Sequence, residues 1–197
     1  MNGNYEALCQ YFEKADRWGG ALSGYFTSQL SSIAPRIEQL VKREVIDLSK
    51  PFLDAGSGDG RIVILTAEIY GIASVGVDFS YESWSKAKKN IKTLRKQGIL
   101  NEPNLKIIKG NFELDEPYKR NRINFEDFGT IYNFETNSWR IVRKIVNQSP
   151  SGTIFLLYNF NNDPRVKNHP GNISSLVLKE SIELDNRSGG YLHVYRK

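Results

Sequence analysis

Pro51-Phe52-Leu53-Asp54-Ala55-Gly56-Ser57-Gly58-Asp59-Gly60-Arg61 is the stretch whose reading decides the fold. A short apolar run, Pro51 to Leu53, ends at an acid. Glycines follow at every second position, 56, 58 and 60. Arg61 to Tyr70 is then good helix material that stops at Gly71. The stretch therefore reads as strand, tight turn, helix. Glycine reaches backbone conformations closed to other residues and lets a ligand approach bare backbone. The start of the helix offers N–H groups and a partial positive charge, which suits a ligand with an acidic end.

The glycine spacing separates two chemistries. The dinucleotide fingerprint is G-x-G-x-x-G, with a wider last gap for a pyrophosphate. Here the spacing is G-x-G-x-G, preceded by Asp54. This tighter loop resembles the first motif of class I methyltransferases dependent on S-adenosylmethionine (SAM). The resemblance implies that Asp54 lies near the methionine amino group. It also implies that the backbone of Gly56, Ser57, Gly58 and Gly60 passes close to the cofactor. The run Phe52 to Ile64 looks most like the small archaeal-type protein-lysine methyltransferases, which have a similar Asp-x-Gly-Ser-Gly-Asp-Gly-Arg run.

Two downstream points fit the same picture. Ala73 to Asp78 reads as a second strand ending in an acid, and Asp78 is 18 positions after Gly60. That is near the ~20 expected for a ribose-binding acid, whose carboxylate accepts from adjacent hydroxyls. Read without the loop, Asp78 is a cap or turn residue. Leu105 to Gly110 reads as a third strand, followed by Asn111-Phe112. The family often has an acid and an apolar residue there. By the resemblance, Phe79, Asn111 and Phe112 join the cofactor set, Asn111 accepting from the adenine amino group in place of Asp and Phe112 packing on the ring.

Composition bounds the alternatives. The chain has 197 residues, enough for one α/β domain with a sizeable core. Hydrophobic residues make 40% and charged residues 25%, a globular balance. The single cysteine, Cys9, rules out an internal disulfide framework and a multi-cysteine metal site. Cys9 reads as a small core residue rather than a nucleophile. The opening residues predict no secretory signal, and no apolar run approaches the ~20 residues of a membrane helix. A cytoplasmic enzyme is expected. The net charge of +5 permits nucleic-acid or acidic-protein partners. The main basic cluster lies between Lys86 and Lys96, with Trp84, Ala87, Ile91 and Leu94 at helical spacing opposite. Its simplest reading is the solvated face of an amphipathic helix.

Taken in order, Tyr5, Leu8, Phe12 and Ala15 predict a short helix that Trp18-Gly19-Gly20 breaks. A second helical stretch runs from Leu30 to Val41, with a restart expected at Pro35. These helices form an expected cap, residues 1–48, on a methyltransferase domain of residues 49–197. After the third strand, Glu113 to Asp127 reads as loop or poor helix. A fourth strand, Gly129 to Glu135, a helix through Trp139 to Val146 and a fifth strand, Thr153 to Tyr158, follow. Asn161 to Asn172 reads as a loop, with the helix usual between strands five and six missing or very short. Ser175 to Leu184 and Tyr191 to Tyr195 predict a closing hairpin across Ser188-Gly189-Gly190. The expected fold is α/β: a doubly wound, mostly parallel, seven-stranded sheet with N-terminal helices and a C-terminal antiparallel hairpin.

Methyl transfer from SAM is a direct displacement, so the protein mainly aligns acceptor, methyl and leaving sulfur. No dedicated nucleophile or metal site is evident, and His169 and His193 read as structural or exposed. Acceptor-site candidates follow strand four: Tyr132, Asn133, Phe134 and Glu135. Tyr25, in a Tyr25-Phe26-Thr27 segment similar to one that closes over the methionine end of SAM, is another. Equally, Tyr132 and Phe134 are alternating core positions of a strand. The resemblance implies S-adenosylmethionine as cofactor, S-adenosylhomocysteine as product, and a protein lysine as one acceptor. Small molecules and RNA remain open as acceptors. So do a non-catalytic SAM-binding protein and, against the glycine spacing, a NAD-type oxidoreductase.

Overall fold

A computed structural model describes residues 3–23, 28–134, 138–160, 175–184 and 190–197. Two helices come first, α1 (Gly3–Ser23) and α2 (Leu30–Lys42). An alternating series follows: β1 (Phe52–Ala55), α3 (Arg61–Tyr70), β2 (Ser74–Asp78), α4 (Tyr81–Lys96), β3 (Leu105–Lys109) and α5 (Glu116–Arg120). Next come β4 (Thr130–Phe134), α6 (Ser138–Gln148) and β5 (Ile154–Asn159). The antiparallel pair β6 (Val177–Glu183) and β7 (Tyr191–Arg196) closes the described chain.

Among the described residues, seven strands form one sheet in the order β3-β2-β1-β4-β5-β7-β6. The pairs from β3 to β5 are parallel, and β7 pairs antiparallel with both neighbours. This is the doubly wound α/β sheet that the sequence predicts. The strands read as near-continuous apolar runs because both faces are covered. Successive residues go to opposite sides. Phe52 packs with α2, α3 and α4, while Leu53 packs with Tyr118, Ile141 and Ile145. Leu8 and Phe12 of α1 share the first of these cores. The strand order turns back between β1 and β4, since β1 leads out to β2 and β3 before the chain returns. A crevice at the carboxyl ends of β1 and β4 follows from that reversal.

Two expectations are corrected. Helix α1 continues through Trp18-Gly19-Gly20 to Ser23 rather than breaking there. Glycine costs a helix about 1 kcal/mol, and packing against α2 and α3 overrides a cost of that size. Helix α2 is one element with Pro35 inside it, not two. Pro35 removes the bond to the carbonyl of Ser31, and Ser31 is exposed, so the lost bond does not leave a buried polar group. Glu113 to Asp127 is the loop with poor helix that the sequence predicts. It contains α5 and a 3₁₀ turn at Phe125–Asp127, pinned by a ring cluster of Tyr118, Phe125 and Phe128. His193 is fully buried in β7, with Nδ1 2.8 Å from the Ser181 hydroxyl, a structural position. The half-buried Cys9 packs on the core, and burial pushes its thiol pKa up. His169, the predicted loop at 161–172, the tip of the hairpin, Tyr25 and Glu135 lie outside the described residues.

Candidate functional site

The glycine loop takes the shape its sequence requires. Gly56, Gly58 and Gly60 have φ of 93°, 53° and 82°, all left-handed. Gly60 has a second constraint: a Cβ there would sit 3.1 Å from that of Ala87 on α4. The loop is tied to β2 below it. The N–H groups of Gly56 and Ser57 donate to the Val77 carbonyl at 2.9 and 3.2 Å. Gly58 N–H donates to Asp78 Oδ2 at 2.8 Å, and Ser80 N–H donates to Oδ1 at 2.8 Å.

A cavity of about 410 Å³ opens above this loop at the carboxyl ends of the strands. It brings together Asp54, Gly56, Ser57, Gly58, Asp78, Phe79, Asn111 and Phe112 from three strand ends. Tyr132, Asn133 and Phe134 of β4 line it as well. Gly60 does not line it; it caps α3 just behind. Tyr25 and Glu135 lie outside the described residues.

Three acids set the electrostatics. Asp54 is 2% exposed, at the end of β1. Burial first, then the charges of Asp78 and Asp59, hold its carboxyl well above the ordinary range. Its side chain makes no hydrogen bond among the described residues, so it is a buried acceptor facing the cavity. Burial raises Asp78 too, against the lowering effect of its two backbone bonds. Asp59 is neutralised by Arg61, which grips it through Nε at 3.0 Å and Nη2 at 2.7 Å. The Arg61 N–H also donates to Asp59 Oδ1, at 3.3 Å. The first turn of α3 therefore already has a carboxylate of its own, which narrows the expectation of a free anion-binding helix start.

Other cavity residues are partly committed. Asn111 Oδ1 accepts from Glu113 N–H at 3.0 Å, closing an Asx turn that leaves that oxygen one lone pair. Phe112 lies beside Gly56, where a Cβ would come within 3.9 Å of its ring and 3.8 Å of Asn133 Nδ2. Phe79 stands 77% exposed at the rim. The Tyr132 hydroxyl is 2.7 Å from Ser28 Oγ, and burial pushes its pKa up. Tyr132 is 1% exposed and belongs to the core below α3, so the strand-core reading describes most of it. Phe134, on the same face of β4, is half-buried. Its ring stacks on Tyr158 at 4.5 Å and meets Phe160 edge-on at 5.5 Å.

Sequence reading missed several residues. Ser28 reaches the cavity, and its carbonyl accepts from Arg61 Nη1 at 3.2 Å. Gly76, in the middle of β2, leaves room for Ser57: a Cβ there would lie 2.8 Å from both Ser57 Cβ and Oγ. Arg140 of α6 pairs with Glu113 at the cavity edge, and its Nε is buried with no hydrogen-bond partner. Only the glycine in an otherwise apolar strand was a local signal. Among the described residues, no group of three or more potential ligands is placed to hold a metal ion. No described helix is long and apolar enough to cross a membrane.

The fold of this chain recurs in known proteins. It resembles the solved RNA methyltransferase of Salinibacter ruber in complex with S-adenosyl-L-homocysteine: 19% identity, TM-score 0.59, covering 87% of this chain and 93% of that one. It resembles Aeropyrum pernix fibrillarin with natively bound S-adenosyl-L-methionine at 15% identity and TM-score 0.56, covering 82% and 74%. TrmN from Thermus thermophilus matches at 15% identity and TM-score 0.59, over 81% of this chain and 47% of that one, so this chain spans about half of TrmN. At such identities the likeness establishes a shared fold. No protein-family model and no curated protein matches the chain.

Proposed function

We propose that this chain is a methyltransferase that takes S-adenosylmethionine in the cavity above the glycine loop. The observation that carries the reading is the buried Asp54 carboxyl, without a hydrogen bond, at the end of β1 beside three glycines of left-handed φ. A buried acceptor of this kind calls for a cationic donor, and the amino group of a methionine moiety is one. The residues present fit the molecule in two further ways. Ser57 Oγ is buried in the cavity wall with no hydrogen-bond partner. The missing Cβ at Gly56 leaves a cradle between Phe112 and Asn133. The fold shared with SAM- and S-adenosylhomocysteine-bound methyltransferases supports the same choice.

In this reading Asp54 holds the ammonium end, and Gly56, Ser57 and Gly58 supply close backbone. Asp78 keeps a lone pair on each oxygen beyond those used by Gly58 and Ser80, enough for ribose hydroxyls. Phe79 and Phe112 offer ring faces to the adenine, and Asn111 offers one remaining lone pair. Gly60 sets the start of α3. Ser28, in the cap of residues 1–48, borders the methionine end; Tyr25, three residues before it, lies outside the described residues. Bound SAM supplies an electrophilic methyl on a sulfonium. The chain's own task is then to hold the acceptor in line and keep water out. Tyr132 keeps its hydroxyl on Ser28, so its part is to wall the cavity. Phe134 with Tyr158 and Phe160 forms an aromatic flank for a flat or cationic acceptor. Asn133 and Glu135 stand beside it in sequence.

The aromatic flank suits a lysine ammonium or a nucleobase alike. The lysine reading rests on the glycine-loop resemblance, and the RNA reading on the likeness to the solved RNA methyltransferase of Salinibacter ruber. The test is to incubate the protein with methyl-labelled SAM and cell extract split into RNA, protein and small-molecule fractions. Label in one fraction, with S-adenosylhomocysteine formed in equal amount, is expected. No label and no S-adenosylhomocysteine from a folded protein that binds SAM would leave a binding protein without transfer.

A further inference from the structure

The excess positive charge of the chain sits on one helix. Helix α4 carries Lys86, Lys88, Lys89, Lys92, Arg95 and Lys96 against a single acid, Glu82, an excess of five. The whole chain holds 27 Lys and Arg against 22 Asp and Glu, also an excess of five. The rest of the sequence is therefore balanced. All six cations are exposed, and none lies within ion-pair distance of a carboxylate among the described residues. Some surface cations elsewhere are paired locally, as in Lys42–Glu38 and Arg120–Glu116. Like charges three and four residues apart, such as Lys88 and Lys92, work against a helix. A merely solvated face has no need to concentrate them.

The stripe has a direction. Tyr81, Ser85, Lys88, Lys92 and Arg95 recur at helical spacing along the exposed side of α4, flanking the row of buried Ala87, Ile91 and Leu94. It extends about 22 Å from the first turn to the last. Its upper end is at the carboxyl edge of the sheet, where Phe79 and Ser80 border the cavity. There Tyr81 is 64% exposed, with Lys109 Nζ 5.0 Å from its ring centre. An aromatic platform at the head of a row of unpaired cations is the combination that binds single-stranded nucleic acid. The rings stack on unpaired bases and the cations follow the phosphates. An acidic peptide would use the cations and leave the ring idle.

We propose that the outward face of α4, with Tyr81 and Lys109, docks a single-stranded nucleic acid whose strand leads to the cavity mouth. The proposal rests on the methyltransferase reading and names its acceptor class. Lys88, Lys89 and Lys92 hold phosphates, and Tyr81 stacks a base.

The test uses the full chain and a short fluorescent uridylate oligomer, read by anisotropy. Saturable binding is expected at about 50 mM salt, weakening at least tenfold by about 200 mM. Replacing Lys88, Lys89 and Lys92 together by Glu should weaken binding at least thirtyfold. It should also lower the slope of log affinity against log salt by about 2, at ~0.7 per phosphate contact for a single strand. Tyr81→Ala should weaken binding at least fivefold. S-adenosylhomocysteine binding, followed by calorimetry, should be unchanged in the triple variant. Absence of binding at the lower salt, equal binding by the triple variant, or displacement of the oligomer by polyglutamate of matched charge would overturn the proposal. The last result would instead mark an acidic-protein surface. Absence of oligomer binding by the wild type, with its cofactor binding intact, would overturn this proposal alone. Loss of cofactor binding in the wild type would overturn the methyltransferase reading.

Discussion

Asp59 and Arg61 form a bidentate ion pair two residues apart in sequence, with both side chains only 4% exposed. The pair joins the glycine loop to the N-terminal helices: Arg61 also donates to the Ser28 carbonyl and lies 5.0 Å from the Phe12 ring centre. The Asp59 carbonyl in turn accepts from Asn90 Nδ2, and Tyr11 donates to Asn90 Oδ1. Four segments of the chain thus meet at one buried charge pair. Removing one partner leaves the other charge buried and alone. Arg61→Ala and Asp59→Ala are each expected to cost about 3–5 kcal/mol of stability, measured by urea unfolding. Arg61→Lys should recover little, because an ammonium cannot make the forked contact. A loss below about 1 kcal/mol for Arg61→Ala would contradict the picture of a buried clamp.

Gly76 and Gly58 offer a matched comparison. At Gly58 a Cβ meets nothing within 4 Å, so only the positive φ opposes Gly58→Ala, at about 1–2 kcal/mol. At Gly76 the backbone is ordinary, but a Cβ would lie 2.8 Å from Ser57 Cβ and from Ile107 Cδ1. Gly76→Ala is expected to cost about 1–3 kcal/mol through overpacking and to weaken SAM binding by shifting Ser57. Equal unfolding midpoints for Gly76→Ala and the wild type would contradict the crowding.

The pH dependence follows from Asp54. Its carboxyl is raised in the folded state, so the fold holds that proton more tightly than the unfolded chain does. The stability from this group is full below the unfolded value, about 4, and is lost as pH rises through the raised folded value. Asp78 acts in the same direction. Asp54→Asn removes the buried ionisable group. It is expected to raise stability at neutral pH by on the order of 1 kcal/mol and to flatten the pH profile. A wild-type profile that rises over the same window, or an unchanged one in Asp54→Asn, would be the contrary outcome of the unfolding series.

Phe134 separates acceptor from cofactor. Its ring lines the cavity and stacks on Tyr158. Phe134→Ala is expected to lower methyl transfer at least tenfold with SAM affinity changed less than twofold. Tyr132→Phe, which removes only the contact with Ser28, should cost about 1 kcal/mol of stability and little activity. A large loss of SAM affinity in Phe134→Ala would place that ring in the cofactor subsite instead.

The parts of the site legible in the sequence are the local ones. A strand ending in Asp54, the alternating glycines and the helix at Arg61 lie in one run, so spacing alone reveals them. Asp78 follows from the fixed length of the strand–helix–strand unit. Of Ser28, Gly76 and Arg140, only Gly76 left a local signal, and its partner was not legible. Each acts through a contact between segments distant in sequence, with Tyr132, Ser57 and Glu113 respectively. The break expected at Gly19-Gly20 fails for a related reason: local propensity is weak beside packing on α2 and α3. Asn111 was legible as a side chain at a strand end. Its Asx turn to Glu113, which uses one lone pair of its oxygen, was not.

The most direct test of the central claim is calorimetric titration of SAM and S-adenosylhomocysteine into the wild type and Asp54→Asn. One-site binding of both ligands is expected in the wild type. SAM should bind Asp54→Asn at least tenfold more weakly, about 1.4 kcal/mol, although that variant is the more stable protein. No binding of either ligand to the folded wild type, or equal SAM affinity in Asp54→Asn, would contradict it.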